Sequence, residues 1–131
     1  MTGRRSRTAA PKRTPSSKGK QGAKEISKLV VNDTDTIQAA MLAIDQNLYR
    51  SVIVVNEANV VVGALSDGDI RRSMLEGRLM MTPVHRVMNS DFIALTASEQ
   101  GRARSIFDET HVFLIPVIDE HGKLLDILTA Y

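Results

Sequence analysis

A chain of 131 residues can hold one compact domain or two half-domains sharing a core, and an apolar fraction of 43% is enough to build one. The net charge of +2 hides a split: residues 1–24 carry eight bases and no acid, the remainder nine bases and 15 acids, so the basic balance is no argument for nucleic-acid binding by the folded part. The lack of cysteine excludes disulfides and thiolate sites, and no apolar run approaches the roughly 20 residues of a membrane helix.

Residues 1–25 mix Pro11, Pro15, Gly19 and Gly22 with Ser, Thr, Lys and Arg. Such a stretch buries too little to offset ordering entropy, so a basic disordered arm is expected. It has no apolar h-region, which excludes a secretory signal, and offers only alanine for the apolar face of a transit helix. As a leader or a polyanion-contacting arm, it is the one segment suited to nucleic acid.

Order is expected from Ile26. Leu29-Val30-Val31 reads as a short strand, and Asn32–Asp35 supplies turn and N-cap residues. Ile37, Ala40, Met41 and Ile44 then form an apolar helical stripe. Val52–Val55 and Val60–Leu65 are β-branched runs joined by Asn56–Asn59, a hairpin. Ile70, Met74 and Leu75 continue helically until Gly77. The unit is β-α-β-β-α.

The same order returns 63 positions later. Ile93–Leu95 matches Val30–Asn32, Ala103 and Phe107 fall on Ala40 and Ile44, and Leu114–Ile118 with Leu124–Leu128 repeat the hairpin around Asp119–Gly122. Thr129 lands on Ser66. The expected fold is therefore α+β, two tandem repeats related by a pseudo-twofold, with boundaries at 26–78 and 91–131 and a linker at 79–90. The second unit reaches Tyr131 where its last helix would begin, so apolar sheet should be exposed for a partner or a continuing chain to cover.

The chemistry concentrates at Ser66-x-x-Asp69. A carboxylate can accept both hydroxyls of a ribose diol, and a helix N-terminus followed by Arg71 and Arg72 favours phosphate. The same spacing is also a capping box, and the two arginines are equally a solvated face. Arg50-Ser51 and Phe113-Leu114 precede equivalent strands and should face the seam between repeats, the first pair polar and the second apolar. His85, His111 and His121 lack metal-ligand spacing, no phosphate-loop or dinucleotide motif occurs, and Ser66 has no triad partner. No metal site and no catalytic residue are expected. The six methionines read as adaptable packing.

Tandem β-α-β-β-α units, Val84-x-x-Val87-Met88 between them, Ser66-Asp67-Gly68-Asp69 after the third strand and Leu114–Gly122 (Leu-Ile-Pro-Val-Ile-Asp-Glu-His-Gly) resemble a cystathionine-β-synthase (CBS) domain pair, or Bateman module, over residues 28–131. Gly63–Arg72 is similar to pairs fused ahead of sugar-phosphate nucleotidyltransferases and to those behind arabinose-5-phosphate isomerase domains. Thr82–Asn89 with Phe92 leans toward the former, which would place a catalytic domain after Tyr131. The resemblance implies a regulatory module, often homodimeric, whose clefts hold AMP, ADP, ATP or S-adenosylmethionine with no tightly bound cofactor. It puts ribose on Ser66 and Asp69, with Thr129 as the second motif's first position. Asp126 replaces a customary glycine and Ile53 a customary proline, which sets the second cleft apart. A cytoplasmic location is expected.

Overall fold

The computed structural model describes residues 26–131. The arm expected over residues 1–25 lies outside the described residues. Strand β1 (Val30–Asn32) leads to helix α1 (Ile37–Asn47). The cap of α1 is Thr36, whose hydroxyl accepts the Ala39 amide at 3.1 Å, and not a residue of Asn32–Asp35. Asp35 instead closes the preceding turn by accepting the Asn32 amide at 2.8 Å. Ile37, Ala40 and Ile44 are buried, but Met41 is not. At about 100° per residue the buried arc is centred between Ala40 and Ile44, which leaves Met41 on its flank and brings Asn47 onto the inner face.

Strand β2 (Ser51–Val55) pairs parallel with β1 and antiparallel with β3 (Val61–Ser66), giving the order β1-β2-β3. Val52 and Val54 pack with the α1 face and with Leu65 and Ile70. Ile53 and Val55 pack the other way, with Val61 and with Leu114 and Ile127 of the second repeat. Burial on both faces is why β2 is continuously apolar instead of alternating. Helix α2 (Asp67–Leu75) covers the same face as α1, with Ile70 inward.

The second repeat contributes α3 (Ala103–Glu109) and an antiparallel pair, β4 (Leu114–Ile118) and β5 (Leu124–Thr129). The layers run from α1 and α2, through the two sheets, to α3. The strand expected at Ile93–Leu95 does not form; only Leu95 bridges Val117. In the first repeat the Ile53 amide donates to Leu29, whereas the equivalent position is Pro116, which has no N–H and cannot supply that rung. Thr96 then starts a 3-10 helix at once (Ala97–Arg102), with its amide on Glu99 at 2.9 Å. Leu95 faces Val117 as Val31 faces Val54, so the first strand is offset by one residue from the 63-residue register of the hairpins.

The pseudo-twofold axis is visible in hydrogen bonds. Val60 bridges Lys123, its own equivalent. The Val61 amide donates to the Gly122 carbonyl and the Leu124 amide to the Asn59 carbonyl, both at 3.0 Å, and exchanging the repeats converts one bond into the other. Asn59 and Gly122, also equivalent, both take positive φ. The turns match as well. Asn56 Oδ1 accepts the amides of Ala58 and Val60, and Asp119 Oδ1 those of His121 and Lys123.

One of these turns is charged. The Lys123 amide, and after it the His121 amide, hold the Asp119 carboxyl below its ordinary value of 3.8. A lowered folded-state pKa adds stability above the unfolded value and loses it as pH falls through the folded value. The β4–β5 amides should therefore lose exchange protection below about pH 4 while the Asn56 turn does not respond. Asp119→Asn should abolish that difference in hydrogen exchange measured against pH; persistence of it would place the acid sensitivity elsewhere.

Residues 79–90, expected as a linker, fold onto the first repeat. Val84 is fully buried in its core, Thr36 bridges Pro83, and Ala64 bridges Asn89. That crossing dictates Gly63, where a Cβ would lie 2.6 Å from Met88 Sδ and 3.2 Å from the Asn89 carbonyl oxygen. The second repeat carries Asp126 at this position, a side chain the first could not accommodate. Met88 can move but the paired Asn89 backbone cannot, so Gly63→Ala should cost about 1–3 kcal/mol, read as a shift in the urea midpoint. Wild-type stability would mean that residues 88–89 move away freely.

No helix follows β5 among the described residues. Leu65 is fully buried beneath α2, but its equivalent Leu128 is only half-buried, and Leu125 is 56% exposed. An open hollow of about 340 Å³ lies there, walled by Phe107, Leu128 and Thr129. Among the described residues this part of the sheet face is open, with Leu128 half-buried.

Candidate functional site

Strand β3 ends at Ser66, which caps α2. Its hydroxyl accepts the Asp69 amide at 3.2 Å, and Asp69 Oδ2 accepts the Ser66 amide at 2.9 Å and the Ser66 hydroxyl at 3.0 Å. Of the two readings open for Ser66-x-x-Asp69, the capping box is thus present. It leaves one carboxylate oxygen outside the cap. Oδ1 accepts Arg72 Nη2 at 2.6 Å, and the Arg72 side chain is 60% exposed. Screened pairs of this kind contribute little, so Arg72 is readily exchanged for another donor. Asp69 therefore has one oxygen fixed by the cap and one held by a single exposed side chain.

Ser51 stands opposite Ser66 in the β2–β3 ladder, and the Arg50 carbonyl accepts the Asp67 amide at 3.0 Å. Arg50, Ser51, Ser66 and Asp69 are brought to one edge of the sheet. Arg50 occupies left-handed backbone (φ 63), a strained conformation for a side-chain-bearing residue. Its guanidinium lies 5.9 Å from the Phe113 ring centroid, across the axis from its own repeat. The Ser51 hydroxyl donates to the Tyr49 carbonyl at 3.2 Å. Arg71 points to solvent with no partner among the described residues, whereas Arg72 turns to Asp69. Gly68 has only Arg72 and Ser66 near it, so protein packing does not require glycine there.

Thr129 is not part of this group. It pairs with Leu114, and its hydroxyl donates to the Tyr131 carbonyl at 3.1 Å. Around it lies an aromatic cluster that the sequence reading missed. Tyr49 and Tyr131 have ring centroids 5.0 Å apart, and Phe113 meets Tyr131 edge-on at 6.2 Å. The Tyr49 hydroxyl donates to Tyr131 and the Tyr131 hydroxyl to Leu48, at 2.8 and 2.9 Å. The signal was the placing of three of the five aromatics within two residues of a strand end, Tyr49 and Phe113 before β2 and β4 and Tyr131 after β5. The two halves of the seam thus differ in kind, polar at Ser66 and aromatic at Thr129.

No group of three metal-ligating side chains occurs among the described residues. No helix among them is long and apolar enough to cross a membrane.

Residues 23–76 match the CBS domain family. Arabinose 5-phosphate isomerase GutQ of Salmonella typhi is 33% identical over 90 residues, covering 68% of this chain and 28% of that protein; the chain spans less than a third of that relative's length. Protein MJ1225 of Methanocaldococcus jannaschii is 26% identical, with a TM-score of 0.68 over 82% of this chain and 44% of that one. CBS domain protein PAE2072 of Pyrobaculum aerophilum, solved in complex with AMP, is 17% identical, with a TM-score of 0.65 over 77% and 79%. The chain is a CBS-domain protein, with a matched CBS domain at residues 23–76 and a second half that completes the fold of a CBS-domain pair apart from its last helix.

Proposed function

We propose that this chain is a regulatory module that binds an adenosine-type nucleotide at the Ser66–Asp69 edge and signals to an attached or partner catalytic domain. The observation that carries the reading is the divided Asp69 carboxylate, with one oxygen held by the cap and the other by an exposed, exchangeable arginine. A ribose diol can take the place of Arg72 without unmaking α2. The AMP complex of the similarly folded PAE2072 supports this choice of ligand class. Ligand bridging the two repeats would favour one relative arrangement of them, and a neighbouring domain would sense that population. No catalytic step is assigned to this chain.

Calorimetry with AMP, ADP, ATP and S-adenosylmethionine tests the reading. A saturable heat with at least one is expected; no heat and no thermal shift with any of them would remove it. The similarity to GutQ favours a sugar-phosphate isomerase as the catalytic context over the nucleotidyltransferase that Thr82–Asn89 leans toward, and the coding sequence beside this segment decides between them. We place the module in the cytoplasm. Exposed Leu42 on α1 and Leu75 and Leu79 around the end of α2 favour a homodimer, which sedimentation equilibrium would read directly.

A further inference from the structure

Beside α2, on the side of Asp69 away from the cap, lies a polar groove of about 190 Å³ between the helix and residues 86–87. Asp69, Arg72, Ser73, Glu76, Arg78 and Arg86 line it. Three arginines and two acids therefore line one small groove, and their pairings are uneven. Arg72 holds Asp69 at 2.6 Å. Arg78 and Glu76 are 4.0 Å apart, a loose contact between exposed side chains. Among the described residues, Arg86 has no partner for its guanidinium. The Ser73 hydroxyl is taken up by the Asp69 carbonyl at 2.9 Å, so it does not compete for the arginines.

We propose that this groove is an anion subsite, formed by Arg72, Arg78 and Arg86, that receives the phosphate of the ligand whose sugar occupies Asp69. The inference rests on the nucleotide reading above. Its added content is direction: the phosphate end runs along α2 toward Arg78 and Arg86. Guanidinium forks match phosphate oxygens two at a time, and a groove whose three arginines outnumber its two acids has a positive excess that an entering phosphate offsets. The exchange is self-consistent. A diol arriving at Asp69 Oδ1 releases Arg72, and a phosphate in the groove gives the released guanidinium a new partner. Two charged groups then change partners together, and neither is left bare.

Affinities of the intact protein for adenosine, AMP and inorganic pyrophosphate, measured by calorimetry, test this. Wild type should bind AMP at least tenfold more tightly than adenosine. In the Arg78→Gln/Arg86→Gln double variant the two affinities should converge, with adenosine unchanged. Equal affinity for adenosine and AMP in wild type, or a double variant that keeps the tenfold preference, would overturn the subsite. If neither nucleoside nor nucleotide binds, the nucleotide reading fails by itself, and pyrophosphate then decides the subsite alone. Saturable shifts of the Arg78 and Arg86 Nε–Hε resonances in wild-type protein uphold it, and their absence overturns it whatever the variants do.

Discussion

Asp69→Asn is expected to leave the fold nearly as stable as wild type and to weaken adenosine-nucleotide binding by a hundredfold or more. The two effects separate because the two carboxylate oxygens do different work. An asparagine oxygen can still accept the Ser66 amide, the bond that Asp69 Oδ2 makes at 2.9 Å, so α2 keeps its cap. The other atom becomes an amide nitrogen, which cannot accept from a diol. Two charge-assisted hydrogen bonds to ribose hydroxyls, each contributing roughly 1.5–3 kcal/mol, would be lost or reversed in polarity. Asp69→Ala removes both functions, so the same binding loss should come with a further destabilisation of about 1 kcal/mol from the missing cap. Ser66→Ala is the complementary control, since it loses a capping acceptor while the carboxylate remains. Calorimetry for affinity and urea midpoints for stability read the pair of quantities. Wild-type affinity in Asp69→Asn would reduce the motif to its capping role.

The hairpins were readable in the sequence because β-branched runs flanking an Asn- or Gly-bearing turn have few alternatives, and repetition at a fixed spacing turned two weak signals into one strong signal. The edge that joins Arg50, Ser51, Ser66 and Asp69 was readable for the same reason, since strand register places Ser51 opposite Ser66. The strand at Ile93–Leu95 was over-read. Its apolar residues fit a strand, but pairing needs a donor on the neighbouring strand, and Pro116 supplies none. Met41 was over-read in the same way, because a stripe of spacings does not say where the buried arc is centred. The Arg72–Arg78–Arg86 groove escaped because it depends on how residues 79–90 fold back, which no local pattern encodes. Arg78 and Arg86 looked like ordinary surface charge in a connecting segment.

Asn47 escaped altogether, and its replacement should produce the largest loss of stability of any polar substitution discussed. A polar residue at the end of an amphipathic stripe reads as surface, yet Asn47 is only 9% exposed and makes three hydrogen bonds. Its amide nitrogen donates to the Lys28 carbonyl at 2.9 Å and the Ser51 carbonyl at 3.0 Å, and its oxygen accepts the Tyr49 amide at 2.7 Å. One side chain thereby ties the entry of β1 to the start of β2 and shapes the turn between α1 and β2, where Leu48 and Arg50 both hold positive φ. Asn47→Ala would remove the donor to two carbonyls and the acceptor of the Tyr49 amide, a cost of about 2–4 kcal/mol. For a domain of this size that corresponds to a fall in Tm on the order of 10–20 °C. Asn47→Asp should be worse than alanine, because a carboxylate oxygen would face the Lys28 and Ser51 carbonyls in place of the donor. That ordering separates the hydrogen-bonding account from one based on packing volume, in which aspartate, nearly isosteric, would be the milder change. The damage should also reach the site. Ser51 is paired with Ser66, so an unanchored Ser51 lets the cap of α2 move, and amide exchange at Ser51 and Ser66 should accelerate together in the alanine variant. Faster exchange at Ser51 with Ser66 unchanged would show that the capped edge is held from the α2 side alone.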